Sequence, residues 1–305
     1  MKSRIRLVLA ALLLGLGAAG CDASGSTTQS AAPQAQPRPF HGVTYYDPRQ
    51  RLLLHTMEET SIASCMRARG FVYRPQPLSD SDHTADANPY GLLTLQQARN
   101  DGFGITSSAL DARPFVDANA AEDGSAAWKA ALDGTTAHRV YLTMPGHRQF
   151  FYNADACATR AVVELYGAQY YRLFNTLQIL SNQVVTTVQA DPRFLAAQRR
   201  WQACMSAAGQ PAGSLSDPLS SVSARLRPAL ASHDPARIHT MVGFELNLAE
   251  ADAECQATAG LADSVAASQQ DAERAAITSH AGDLAELQAL QRRALATGTP
   301  AGGGR

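Results

Sequence analysis

Apolar residues recur along most of this chain at steps of three and four, the spacing that puts one face of an α-helix in a core. Residues 49–69 place Leu54, Met57, Ile62 and Cys65 on one face, and Gly70 stands where a left-handed cap would end the helix. Residues 155–189 carry the longest seam, Val163, Tyr166, Tyr170, Leu173, Leu177, Leu180, Val184 and Val188, and predict a single helix built to pack lengthwise. Asp191-Pro192 then starts a helix with Phe194, Ala197, Trp201, Cys204 and Ala208 on one face and Gly209 at its end. A polar connection, 210–233, predicts one short helix near Val222 to Leu230. Asp234-Pro235 repeats the start signal for a helix lined by Met241, Phe244, Leu248, Ala251 and Cys255, ending at Gly260. A last helix is predicted from Ala262 to Ala296, with Ile277, Leu284, Leu287 and Leu295 as its seam.

Between Pro75 and Asn153 the pattern lapses. Gly, Pro, Asp, Asn and Ser recur every few residues, and only two short helices are predicted. One starts at Thr94, where Gln97 completes a capping box, and the other spans Ser125 to Leu132. The 75–153 segment therefore reads as a long loop-rich insertion, a feature that is usually functional when it carries aromatics. Tyr90, Phe103 and Trp128 are its candidate binding surface, the plainer reading of them being a small satellite core under the loops. No alternating strand pattern competes, so the fold class is mainly α.

The start of the chain has another character. Lys2, Arg4 and Arg6 precede an apolar run, Leu7 to Leu16, and small residues lead to Cys21, so residues 1–20 read as a signal peptide. Ala18-Ala19-Gly20-Cys21 looks like a lipobox, which makes Cys21 the candidate lipidation site and the membrane the first partner. Residues 22–39 hold no large apolar side chain, and the segment 21–40 is expected to be a disordered tether. The domain proper then spans 41–297, and 298–305 is expected to be a disordered tail.

Two stretches echo each other. IASCMRARG at 62–70 and WQACMSAAG at 201–209 each set Cys-Met four residues ahead of a Gly, and each is followed later by a second cysteine, Cys157 and Cys255. An even cysteine count in an exported chain implies disulfides, and four cysteines allow three connectivities. The repeat relates Cys65–Cys157 to Cys204–Cys255 and favours that pairing. A four-thiolate metal site has no C-x-x-C knuckle to support it. The expected architecture is a disulfide-stapled helical bundle.

Charge and chemistry narrow the function. Removing Lys2, Arg4 and Arg6 leaves 23 basic against 27 acidic side chains, a net of −4, with no basic stripe for nucleic acid. The Asp80, Asp82, His83 and Asp86 cluster has Ala85 and Gly91 where a calcium loop needs Gly and Glu, and reads as a solvated loop. No histidine pair, nucleophile elbow or phosphate loop is present. Neither a cofactor nor a catalytic residue is expected. Glu245, Glu250, Asp252 and Glu254 crowd one helix and read as its solvated face, although paired carboxylates could run glycoside hydrolysis.

The motifs CMRARGFVYRP (65–75), YGLLTLQQARNDGFG (90–104), AALDG (130–134), CATRAVVELYG (157–167), WQACMSAAG (201–209) and LAEADAECQATAGL (248–261) resemble a group of uncharacterised actinobacterial lipoproteins. The resemblance spans most of residues 50–265. It implies a lipid-anchored protein on the outer face of the cytoplasmic membrane and carries over no catalytic residue. The expected function is a non-catalytic module that binds an envelope protein or a cell-wall component. The alternative is an envelope hydrolase acting on wall polymer.

Overall fold

A computed structural model describes residues 36–78, 88–112, 116–122, 124–232 and 234–298. Cys21 and the Asp80, Asp82, His83 and Asp86 cluster lie outside the described residues. The architecture is mainly α.

Helix α1 (Pro48–Ala68) begins with a reciprocal capping box between Asp47 and Gln50. Three short helices follow: α2 (Leu95–Asp101), capped by Thr94 as the sequence predicts, α3 (Ile105–Asp111), and α4 (Ala126–Asp133), capped by Ser125. A hairpin of β1 (Arg139–Met144) and β2 (Arg148–Asn153) comes next. The rest of the chain is helical: α5 (Cys157–Tyr166), α6 (Tyr170–Ala190), α7 (Pro192–Ala207), α8 (Asp217–Ser232), α9 (Pro235–His239), α10 (Val242–Ala259), α11 (Leu261–Ser279) and α12 (Ala281–Gly298). No helix among the described residues is long and apolar enough to cross a membrane.

Both halves of the sequence repeat end in the same way. Phe71 N donates to Met66 O at 3.0 Å and Gln210 N to Met205 O at 2.9 Å, each across a glycine with positive φ, Gly70 and Gly209. These are six-to-one caps that need a left-handed residue, which glycine adopts without a Cβ penalty. Met66 and Met205 are both buried. The neighbouring cysteines form the expected bridges, Cys65–Cys157 between α1 and α5 and Cys204–Cys255 between α7 and α10, with Cα separations of 5.6 and 5.5 Å.

The main core runs along α6, where Leu173, Leu177, Val184 and Val188 meet Trp201 and Met205 of α7, Leu261 and Val265 of α11, and Leu287 of α12. A second cluster surrounds the first bridge: Ile62, Met66, Trp128, Ala131 and Ala161.

Five expectations need correction. The predicted 155–189 helix is two helices, because Gly167 adopts φ +99 between them. Tyr166 and Tyr170 stack across the break with centroids 4.0 Å apart, so the apolar seam continues although the backbone does not. The 234–260 segment breaks at Thr240-Met241, and the 262–296 segment breaks at His280, whose ring meets Asp283 in the next helix at 3.0 Å. The hairpin escapes the pattern because two aromatics interrupt the polar face of its short strands. Val140, Leu142, Phe150 and Tyr152 face one way and Tyr141 and Phe151 the other, which erases the period-two contrast.

The last correction concerns residues 36–40, which the sequence assigns to the tether. Phe40 is buried and its N–H donates to the Glu273 carboxylate at 2.7 Å. Arg38 O accepts from Gln269 at 3.0 Å, and Gln36 Nε2 reaches Leu92 O at 3.2 Å. Most of these anchors are backbone groups, so a scan for large apolar side chains passes over them.

Candidate functional site

Helix α10 organises a stretch of the insertion that forms a groove with a defined frame. Glu245, Asp252 and Gln256 recur at seven and four residues, which puts them on one face of the helix. The sequence reads the acids of this helix as solvated, and for two of the four that is wrong. Glu245 is 1 % exposed and Asp252 0 %, whereas Glu250 and Glu254 stay outside beside Arg99 at 2.7 and 4.0 Å.

Glu245 is buried because it has four donors. Its carboxylate accepts from Phe103 N at 2.9 Å, Ile105 N and Thr106 N at 2.8 Å each, and the Thr106 hydroxyl. It therefore caps α3 from another helix, with its negative charge against the positive end of that helix. Gly102 makes the approach feasible. Its φ is +63, and a Cβ there would sit 2.7 Å from Glu245 Cγ.

Gln256 does the same for the strand-like run before α2. Its Oε1 accepts from Leu93 N at 2.9 Å, and its Nε2 donates to Gly91 O at 3.0 Å and to Asp252 Oδ2 at 3.1 Å. Asp252 Oδ1 accepts from Trp201 Nε1 at 2.7 Å. Burial pushes the Asp252 carboxyl up to about 6, against the lowering effect of the Trp201 and Gln256 hydrogen bonds. Ala249 and Ala253 are fully covered by Ala98 and its neighbours, and these small side chains let α2 lie close on α10.

Residues 88–106 are thus held at both ends and in the middle. Between them lies a groove of about 410 Å³ lined by Gln36, Asn88, Leu92, Gln96, Asn100 and Phe103, with Asp101 as its one carboxylate. The amides of Gln96 and Asn100 have no hydrogen-bond partner among the described residues.

The three aromatics singled out in the sequence separate here. Phe103 is half-buried and lines the groove. Tyr90 is 2 % exposed and bonds Gln269 through its hydroxyl at 2.8 Å, and Trp128 is 4 % exposed with Nε1 on Val72 O at 2.8 Å. Neither Tyr90 nor Trp128 offers a surface. Tyr90 stiffens the groove segment from beneath, and Trp128 belongs to the core around the first disulfide.

Sequence reasoning misses Glu245, Asp252 and Gln256 as the frame of a site. Their one signal is polar side chains in register with the core-facing Leu248 and Cys255. Among the described residues no group of three His, Cys, Asp or Glu side chains could hold a metal ion. No protein-family model matches the chain, and neither a curated protein nor a solved structure shows a significant likeness to it.

Proposed function

We propose that the chain is a lipid-anchored, extracytoplasmic binding module whose recognition site is the groove over residues 88–104, and that its ligand is an uncharged glycan of the cell envelope. The observation that carries this reading is the pair of unpartnered amides, Gln96 and Asn100, beside half-buried Phe103 on a segment pinned from behind by Glu245 and Gln256. A primary amide offers both donors and an acceptor, which suits hydroxyl and acetamido groups. An aromatic side chain suits the apolar face of a sugar ring.

The anchor reading draws on the basic start, the apolar run and the lipobox-like residues before Cys21, together with the motif resemblance to actinobacterial lipoproteins. What weighs against hydrolysis is the use already made of the buried carboxylates. Glu245 and Asp252 commit their oxygens to donors of this chain, and neither lines the groove.

Titration of the full chain with soluble, N-acetylated wall-glycan fragments tests the site. Wild type is expected to bind, and Asn100→Ala and Phe103→Ala are each expected to weaken binding about tenfold, the loss of one directed contact. No binding by wild type would remove the proposal. Intact-mass measurement of the native membrane protein tests the anchor: a diacylglyceryl adduct on Cys21 is expected, and an unmodified Cys21 would contradict it.

A further inference from the structure

The hairpin β1–β2 carries a second surface, unrelated to the groove. Tyr141 and Phe151 are cross-strand partners, 63 % and 50 % exposed, with ring centroids 6.1 Å apart. The Arg139 guanidinium lies 4.2 Å over the Phe151 ring. The opposite face of the same hairpin holds it to α6. Phe150 and Tyr152 meet Tyr171 at 5.6 and 4.8 Å, and Met144 Sδ accepts from Thr176 at 3.7 Å. The outward aromatics are therefore not needed to attach the hairpin, and they stand in water beside an arginine.

The charge on this element runs against the rest of the chain. Residues 134–154 contain Arg139, Arg148, His138 and His147 and no Asp or Glu, in a chain whose formal net charge is −1. Arg148 is exposed where β2 begins, and neither Arg139 nor Arg148 has an ion-pair partner among the described residues. Aromatic rings flanked by basic side chains settle at the boundary between lipid headgroups and acyl chains, and each basic group near an anionic leaflet adds attraction. A second copy of the hairpin would set the same positive charges against one another.

The entry of the chain, like the hairpin, borders α6. Arg38 and Asn182 of α6 line one depression, and Arg148 and the same Asn182 line another. Cys21 is fifteen residues before Gln36, so an anchor there reaches at most about 50 Å. Only this reach rests on the anchor reading.

We propose that the outer face of the hairpin, Arg139, Tyr141 and Phe151, is a contact surface for a membrane of anionic phospholipid. Docking there would fix the orientation of the domain on the bilayer, which a single N-terminal anchor leaves open.

The test is hydroxyl-radical footprinting of the full chain with vesicles of phosphatidylcholine, with and without phosphatidylglycerol. Tyr141 and Phe151 are expected to oxidise several-fold more slowly when phosphatidylglycerol is present, while exposed Val116 is unchanged. Arg139→Gln is expected to weaken that protection roughly fivefold in occupancy, the worth of one charge at the surface. Equal oxidation of Tyr141 and Phe151 in the two vesicle types would overturn the proposal. So would protection that grows with protein concentration in the absence of vesicles, which would assign the face to a second copy. The mass of Cys21 in the same sample separates the two readings. Protection without an adduct sustains the hairpin and sinks the anchor, and an adduct without protection does the reverse.

Discussion

Trp201 Nε1 donates to Asp252 Oδ1 at 2.7 Å, and both side chains are fully buried. The tryptophan belongs to the helix that bears Cys204 and the aspartate to the helix that bears Cys255, so the hydrogen bond and the second disulfide tie the same two helices. Gln256 passes the connection on to Gly91 and Leu93. The groove is therefore continuous with the most constrained part of the fold.

This buried carboxylate makes stability depend on pH. Asp252 titrates near 6 in the folded chain, above the unfolded value near 4, so the native state holds the proton more tightly. Its contribution is fully present below about pH 4 and is lost as pH rises through about 6, a change of roughly 3 kcal/mol. Unfolding free energy measured by denaturant titration across that window should fall for wild type more than for Asp252→Asn. The informative quantity is the slope, since the introduced amide would set a second donor against Gln256 and shift the absolute value. Parallel slopes would show that Asp252 does not carry the effect.

Glu245→Ala should be among the most damaging single changes on α10. It leaves three backbone donors at Phe103, Ile105 and Thr106 without an acceptor, a loss of about 3–5 kcal/mol. Amide exchange should accelerate at those three positions more than along α6. Unchanged protection there would mean that solvent already satisfies these groups.

Gly102→Ala tests the close approach directly. The positive φ and the 2.7 Å contact with Glu245 Cγ both oppose a side chain, and the expected loss is about 2–3 kcal/mol. Thermal unfolding reads it, and an unshifted Tm would show that the loop relaxes away from α10.

Cys204→Ser should lower stability by about 4 kcal/mol, the entropy of a loop closed over a separation of 51 residues. Peptide mapping without reduction should then find Cys255 free and the 65–157 bridge intact. A reshuffled Cys65–Cys255 bridge would show that the pairing is not set by the helices that carry it.

What can be read from the sequence follows from signals that repeat or act locally. The Cys-Met…Gly motif points to both bridges, because the same cap and the same buried methionine recur at Gly70 and Gly209. Start residues locate α2, α4 and α7 to within a residue, since Thr94, Ser125 and Asp191 each cap their own helix. The groove is not legible. Its frame depends on Gln256 and Glu245 reaching backbone groups more than 130 residues away, and a carboxylate that will be buried has the same letter as one that will be solvated. Tyr90, Phe103 and Trp128 belong to the same insertion, yet among them Phe103 alone borders the groove, because Tyr90 and Trp128 find buried partners in Gln269 and Val72 O.

The most direct test of the binding reading is hydrogen–deuterium exchange of the full chain with and without soluble wall-glycan fragments. Protection confined to residues 91–104 and to the facing Gln36 segment is the expected result. No change in exchange anywhere along the chain, or protection that falls outside these segments, would contradict the assignment of the groove.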